Sequence, residues 1–154
     1  MTDIYTSIKA DHDKTRGLMD EIAGTSAGQA DRRAELFDRF KRNLWAHNKV
    51  EEAVFYAELL STRETRDDTM EAMSEHHSAN ALIEDLDLME KGDAAWLPKF
   101  THLKELLEHH MQEEEKDLFA EARDVLDRDR AEKLGDAFED RKEAVGSALK
   151  RVSH

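Results

Sequence analysis

His47 and His110 are each followed by two glutamates at the fourth and fifth positions, in HNKVEE and HMQEEE. A hydrophobic–aromatic pair comes next, Phe55-Tyr56 and Leu118-Phe119, and then Ala-Glu, so one thirteen-residue pattern recurs at an offset of 63. A quieter repeat accompanies it. His12 precedes Leu18-Met19 and Ile22 by the same counts that separate His76 from Leu82-Ile83 and Leu86, at an offset of 64. The chain therefore reads as two copies of a helix pair, the first carrying His…HxxxE and the second repeating it. Two such pairs joined by short loops bury their apolar stripes most simply as an up-down-up-down antiparallel four-helix bundle.

Helical periodicity places these residues. Positions three and four apart share a helix face. The first stripe reads Ile4, Ile8, His12, Thr15, Met19, Ile22, and the second Leu36, Phe40, Leu44, His47, Glu51, Val54, Phe55. The third reads Met73, His76, Asn80, Ile83, Leu86, and the fourth Phe100, Leu103, Leu107, His110, Glu114, Leu118. Each predicted helix thus turns one histidine inward.

The segments follow from caps and breakers. With six Gly and one Pro in 154 residues, and abundant Ala, Leu, Glu, Lys and Arg, the fold class is all-α. Helices are predicted over 2–23, capped by Thr2 or Asp3, and over 30–60, after a small-residue loop at 24–28. A polar turn at 61–67, with Thr62 or Thr65 available as a cap, leads to a third helix over 68–91. Gly92 stops it and Asp93 starts a fourth that runs to about 126, with Pro98 in its first turns. A shorter fifth helix over about 129–150, interrupted by Gly135 and Gly146, docks on the bundle. The whole of 1–154 reads as a single domain, a length that buries a substantial core.

Composition excludes several classes. A net charge of −13 repels nucleic acid and anionic lipid. The absence of Cys rules out disulfides, thiolate metal sites and a cysteine nucleophile. No apolar run approaches the ~20 residues of a membrane span. The first residues, MTDIYTSIKADHD, are acidic and polar and unlike a signal peptide, so the expected location is cytoplasmic.

Imidazoles and carboxylates on inward faces are costly to bury without partners, and a metal ion supplies them. HxxxE sets an imidazole and a carboxylate one turn apart on one face, so both reach one centre. Four His and two Glu suit iron, manganese or zinc, and two bridging carboxylates with two His on each side hold two ions. The other histidines read as surface: His109 sits on an outer face with His102, His77 lies one step off the stripe, and His154 is terminal. His109 and His77 are the alternates one register step away. Glu52, Glu113 and Glu115 read as a solvated face, with Glu115 a reserve ligand. Trp45 and Trp96 are expected at bundle ends or edges, and Phe55, Tyr56, Leu118 and Phe119 in the core.

Taken together, an inward His, HxxxEE with trailing Phe-Tyr, a second inward His and HxxxEE with trailing Leu-Phe resemble the hemerythrin-like, or HHE cation-binding, domain over about residues 3–123. The resemblance implies a bundle around two non-haem iron ions with an oxo, hydroxo or water bridge. It implies His12, His47, Glu51, His76, His110 and Glu114 as ligands, both glutamates bridging. The pattern departs from the five-histidine oxygen carriers, which look like HxxxH on the third helix and HxxxxD on the fourth. Here Asn80 follows His76 and the fourth helix reads HxxxE, with Glu115 at the longer spacing. Fewer nitrogen ligands and more open positions on one iron point away from reversible oxygen carriage. The ferritin-like Glu-x-x-His motif and the zincin HExxH are both absent.

Three functions fit. The first is a di-iron protein that binds or senses O2 or a related small oxidant. The second is a redox enzyme that removes peroxide or handles nitric oxide, with Tyr5 or Tyr56 as a nearby electron or proton source. The third is a stress or signalling module whose fifth helix contacts a protein partner.

Overall fold

The structure is a computed structural model that describes residues 2–152, with side chains described through 147; His154 and Met1 lie outside the described residues. Five helices form an antiparallel bundle of four with the fifth laid against it. Helix α1 is Ile4–Ala23. Helix α2 runs as Ala30–Glu51, a π-helical turn Glu52–Tyr56 and a last turn Ala57–Leu60. Helix α3 is Arg63–Leu88. Helix α4 runs as Trp96–Glu113, a second π-helical turn Glu114–Leu118 and Phe119–Val125. Helix α5 is Arg128–Val152. No strand occurs among the described residues.

Local chemistry explains most boundaries. Asp3 Oδ1 accepts from the Thr6 N–H at 2.9 Å and caps α1. Pro98 lies in the first turn of α4, where its missing N–H costs least. The polar stretch predicted as a turn at 61–67 is mostly helix, because α3 begins at Arg63. Thr62 stands at the N-cap, and the buried threonines Thr65 and Thr69 just inside the helix bond backbone carbonyls. Thr65 Oγ1 donates to Leu59 O at 2.6 Å, and Thr69 Oγ1 to Thr65 O at 2.6 Å. Helix α3 also stops three residues before the predicted end. The turn after it is held by Arg33, fully buried, whose guanidinium donates to Lys91 O (2.6 Å) and to Thr25 O (2.9 Å). One side chain on α2 thereby ties the α1–α2 and α3–α4 connections together, over the face of Trp96.

Apolar packing falls into two clusters. One, at the Arg33 end, joins Leu18, Ile22, Phe37, Phe40, Ile83, Trp96, Phe100 and Leu107. Trp96 stacks on Phe100 with centroids 5.3 Å apart, at a bundle end as its position predicts, whereas Trp45 is 46 % exposed. The other cluster joins Ile4, Ile8, Val54, Phe55, Leu59, Leu118 and Phe119 with Leu134 and Phe138 of α5. Each large side chain withdrawn from water contributes roughly 1.5–3 kcal/mol. Between the clusters lies a buried layer that is almost wholly ionisable: His12, His47, Glu51, His76, His110 and Glu114.

Helix α5 continues through both glycines. At Gly135 the chain needs the missing Cβ, which would sit 2.7 Å from the Asp3 carbonyl carbon and clash with the Thr2 carbonyl oxygen. Gly146 has nothing within 4 Å of the same position. Gly135→Ala is therefore expected to destabilise the protein by about 1–3 kcal/mol through forced separation of α5 from α1. Gly146→Ala should stabilise by about 0.5–1 kcal/mol through helix propensity alone. Urea unfolding of both variants checks the contrast.

Candidate metal centre

Each helix of the four delivers one imidazole to the layer, and α2 and α4 each add a carboxylate one turn further on. All six residues singled out by spacing are brought together, none more than 4 % exposed. They fall into two donor groups. His12, His47, Glu51 and Glu114 offer donor atoms within 4.8 Å of one another, and so do Glu51, His76 and His110. Glu51 belongs to both. Glu114 also faces both ways, with Oε1 3.1 Å from His12 Nε2 and Oε2 4.0 Å from His110 Nε2. The Nε2 atoms of His76 and His110 are 3.2 Å apart. Neighbouring donors around one ion with ~2.1 Å bonds stand about 3.0–3.4 Å apart.

The alternates one register step away lie outside the buried layer, His109 in a separate, mostly exposed group with Glu75 and Glu113. His109 is exposed and pairs with Glu113 at 3.0 Å on the solvent face. His77 and His102 are exposed. On α3 one stripe position needs correction: Asn80 is exposed and Ala79 is the fully buried residue. The turn beyond His76 thus presents a methyl group, not a donor, to the interior.

Glu52 and Glu115, expected on a solvated face, are instead outer partners of the imidazoles. Every inward histidine is held at Nδ1 by a carboxylate. Asp11 lies 2.8 Å from His47, Glu52 2.8 Å from His76, Glu75 2.8 Å from His110 and Glu115 2.6 Å from His12. The pattern is crossed. The residue before each lone histidine serves the histidine of a HxxxE block, and the second glutamate of each block serves a lone histidine. A carboxylate at Nδ1 fixes the tautomer and ring plane, leaving Nε2 directed inward. Only Glu113 of the three keeps its predicted exposure. The signal was present as acidic neighbours of each repeat, but which helix each carboxylate would face was not.

The π-helical turns begin at or just after the inward glutamates. There the Ala57 N–H bonds Glu52 O and the Phe119 N–H bonds Glu114 O, five residues back. A π turn holds one residue more than an α turn, so residues five apart come onto one face. This brings Tyr56 inward beneath Glu51, where its hydroxyl donates to Glu114 Oε2 in a short hydrogen bond.

Burial and mutual charge set the protonation. Burial lowers the His47 pKa, but Glu51 and Asp11 outweigh it and raise it to about 9. His76 is likewise lowered by burial and raised on balance to about 9 by Glu51 and Glu52. Burial and the neighbouring Glu51 charge push Glu114 up. Burial, Glu114 and Glu51 push Tyr56 well above the usual phenol range, so it stays a neutral donor.

Five buried atoms in the layer have no hydrogen-bond partner: His12 Nε2, His47 Nε2, both Glu51 oxygens and Glu114 Oε1. Each costs on the order of 1–3 kcal/mol. All are nitrogen or oxygen atoms that become Lewis bases once the imidazoles give up their protons, all belong to the two groups, and all converge. The residues fit a cation pair.

Fold and site together define a metal-binding helical bundle. The hemerythrin HHE cation binding domain pattern matches residues 3–122, and the chain belongs to that family. The crystal structure of a hemerythrin HHE cation binding domain-containing protein from Mycobacterium kansasii shares the fold, with a TM-score of 0.87 over 99 % of this chain and 93 % of that one at 24 % identity. A Nostoc protein named a DNA nickase is 25 % identical over 146 residues, which are 95 % of this chain but 41 % of that protein's length. This chain thus spans less than half of that relative.

Asp11→Asn and Glu75→Gln, which leave all six inward donors in place, should weaken metal affinity roughly 10–100-fold by competitive chelator titration. The raised histidine pKa values act in the metal-free protein. Their stabilising contribution is complete below 6.5, the ordinary imidazole value, and is lost as pH rises through about 9. Thermal unfolding of metal-free protein should therefore shift downward across that window, and metal uptake at pH 7 should release protons in weakly buffered solution.

Proposed function

We propose that the bundle holds two non-haem iron ions between His12, His47, Glu51, His76, His110 and Glu114, and that this centre binds or senses O2 or a related small oxidant. The observation that carries the reading is the pair of buried donor groups sharing Glu51, with five unpartnered donor atoms between them. Manganese and zinc suit the same donors, and iron is favoured here for its redox chemistry. When bound, an iron pair supplies reversible electron transfer and a Lewis-acidic position for a diatomic or peroxidic ligand.

The protein's own groups make that position selective. Glu114 Oε1 stands 3.1 Å from His12 Nε2, whereas its Oε2 stands 4.0 Å from His110 Nε2 and accepts from Tyr56, so the His76–His110 half is the more open one. Ala79 leaves it without a further nitrogen. The apolar clusters on either side keep bulk water from the layer. The Tyr56 hydroxyl, hydrogen-bonded to Glu114 on the open side, holds a proton within reach of that side. That placement favours a second reading, a redox enzyme that removes peroxide or handles nitric oxide.

The remaining readings gain less support. Helix α5, the candidate partner surface, is engaged with the centre: Lys142 Nζ bonds Asp11 Oδ2 at 2.8 Å, and Phe138 packs on the His47 ring at 5.8 Å. DNA nicking is the named activity of the much longer Nostoc protein. A net charge of −13 opposes a phosphodiester backbone, and nicking is not carried over to this chain.

Metal analysis of purified protein should give two irons per chain, with a visible band that changes on adding oxygen or peroxide. His110→Ala should lose iron, whereas His109→Ala should keep it. One ion per chain, zinc with no colour, or the reverse order of the two variants would falsify the reading. Catalytic release of oxygen from peroxide, diminished in Tyr56→Phe at unchanged iron content, selects the enzyme.

A further inference from the structure

The cleft between α3 and α4 carries charge that the centre itself does not use. It is a cavity of about 150 Å³ rimmed by Asp68, Glu71 and Glu75 on one helix and Glu113, Asp117 and Glu121 on the other. Its floor is made by His110 and Glu114. Glu114 is 2 % exposed and carries the cleft through to the centre: its Oε2 lies 4.0 Å from His110 Nε2, and its Oε1, which has no hydrogen-bond partner, stands 3.1 Å from His12 Nε2. No Lys or Arg lines the cleft. The carboxylates crowd one another: the hydrogen bond with Asp68, burial and the charges of Asp68, Asp117 and Asp124 push Glu121 up to about 7.

Two other sides of the centre are built the other way. There the outer carboxylates are capped by cations, with Lys142 Nζ 2.8 Å from Asp11 between α1 and α5, and Arg16 Nη1 3.0 Å from Glu115 between α1 and α4. An incoming cation meets positive charge on these sides and a row of carboxylates at the α3–α4 side. Above and below, the layer is closed by apolar side chains. A cleft lined by one sign of charge between low-dielectric walls concentrates the opposite charge and speeds its arrival. Exposed carboxylates hold a hydrated divalent cation loosely enough to pass it on, while the deeper imidazoles hold it firmly.

We propose that the α3–α4 cleft is the path by which divalent cations reach the buried centre, with Asp68, Glu71 and Glu121 as transit carboxylates and the His76–His110 half filled first. The proposal rests on the metal-binding reading above and adds a direction to it. None of the three transit residues belongs to the donor groups.

The test is the rate of loading, separated from the amount. Metal-free protein is mixed with Co(II) in a stopped-flow instrument, and uptake is followed by ligand-field absorbance; bound metal is counted after equilibration. The cleft variant Asp68→Asn/Glu71→Gln/Glu121→Gln is compared with Asp31→Asn/Glu35→Gln/Glu105→Gln. The second set makes the same charge change at exposed positions that do not line the cleft. The cleft variant should load about tenfold or more slowly, with a flatter dependence on salt, and still reach the wild-type content. The single variant Glu71→Lys, which puts a cation at the mouth, should also slow loading. Loading of the cleft variants at the control rate overturns the path while leaving the centre intact. A lower final content overturns the transit role, because it makes these residues ligands or structural supports. A wild-type protein that takes up no metal overturns both the centre and its path.

Discussion

Two carboxylates and four imidazoles occupy one layer in the middle of an otherwise apolar bundle. Burial penalises every charged form among them, and two carboxylates this close oppose each other's ionisation. The surrounding structure offsets that cost in stages. Each imidazole has an outer carboxylate at Nδ1, and two of those carboxylates have a cation of their own, Lys142 or Arg16. What the protein alone leaves unanswered are the inward Nε2 and Oε atoms, and these are the atoms a cation pair satisfies. The layer is thus a folding problem and a binding site at once, and metal binding and stability are coupled through it.

The internal repeat has a physical consequence beyond duplication of ligands. Because the outer contacts are crossed, each half of the chain supplies both inward ligands and supports for ligands on the neighbouring helix. Asp11 on α1 steadies His47 on α2, and Glu75 on α3 steadies His110 on α4. Neither half holds its geometry without the packing of the pair. The symmetry is then broken where chemistry needs it. Cations and α5 close the His12–His47 side, while the His76–His110 side faces an acidic cleft and has Glu114 at the longer distance. Tyr56 has no counterpart hydroxyl at Phe119 in the second copy.

The π-helical turns show how small the local adjustment is. A single extra residue per turn, repeated in α2 and α4, rotates the following side chains and brings Tyr56 under the carboxylates. The alternative, an uninterrupted α-helix, would carry the Tyr56 hydroxyl away from Glu114. Wide turns are intrinsically disfavoured, and here each lies beside a glutamate of the layer; for the turn in α2 the gain is the buried Tyr56–Glu114 hydrogen bond.

The sequence by itself determined the all-helical class, the antiparallel order and the six inward residues. Helical periodicity is a local property: a histidine four residues before a glutamate must share its face whatever surrounds it. It also correctly set His109 and His77 outside. The start of α3 was legible only in part: Thr62, available as a cap, stands at its N-cap, but 63–67 read as turn until Thr65, and Thr69 one turn on, bond backbone carbonyls inside the bundle. Asn80 and Ala79 differ by one step of about 100°, less than periodicity resolves near the edge of a stripe. Only the tertiary structure decided the roles of Asp11, Glu52, Glu75 and Glu115. Each lies one step off its own stripe, and becomes half-buried and bonded because a neighbouring helix presents an imidazole there. The acidic cleft and the cation-capped sides were decided the same way, by which charged edges the helices bring face to face.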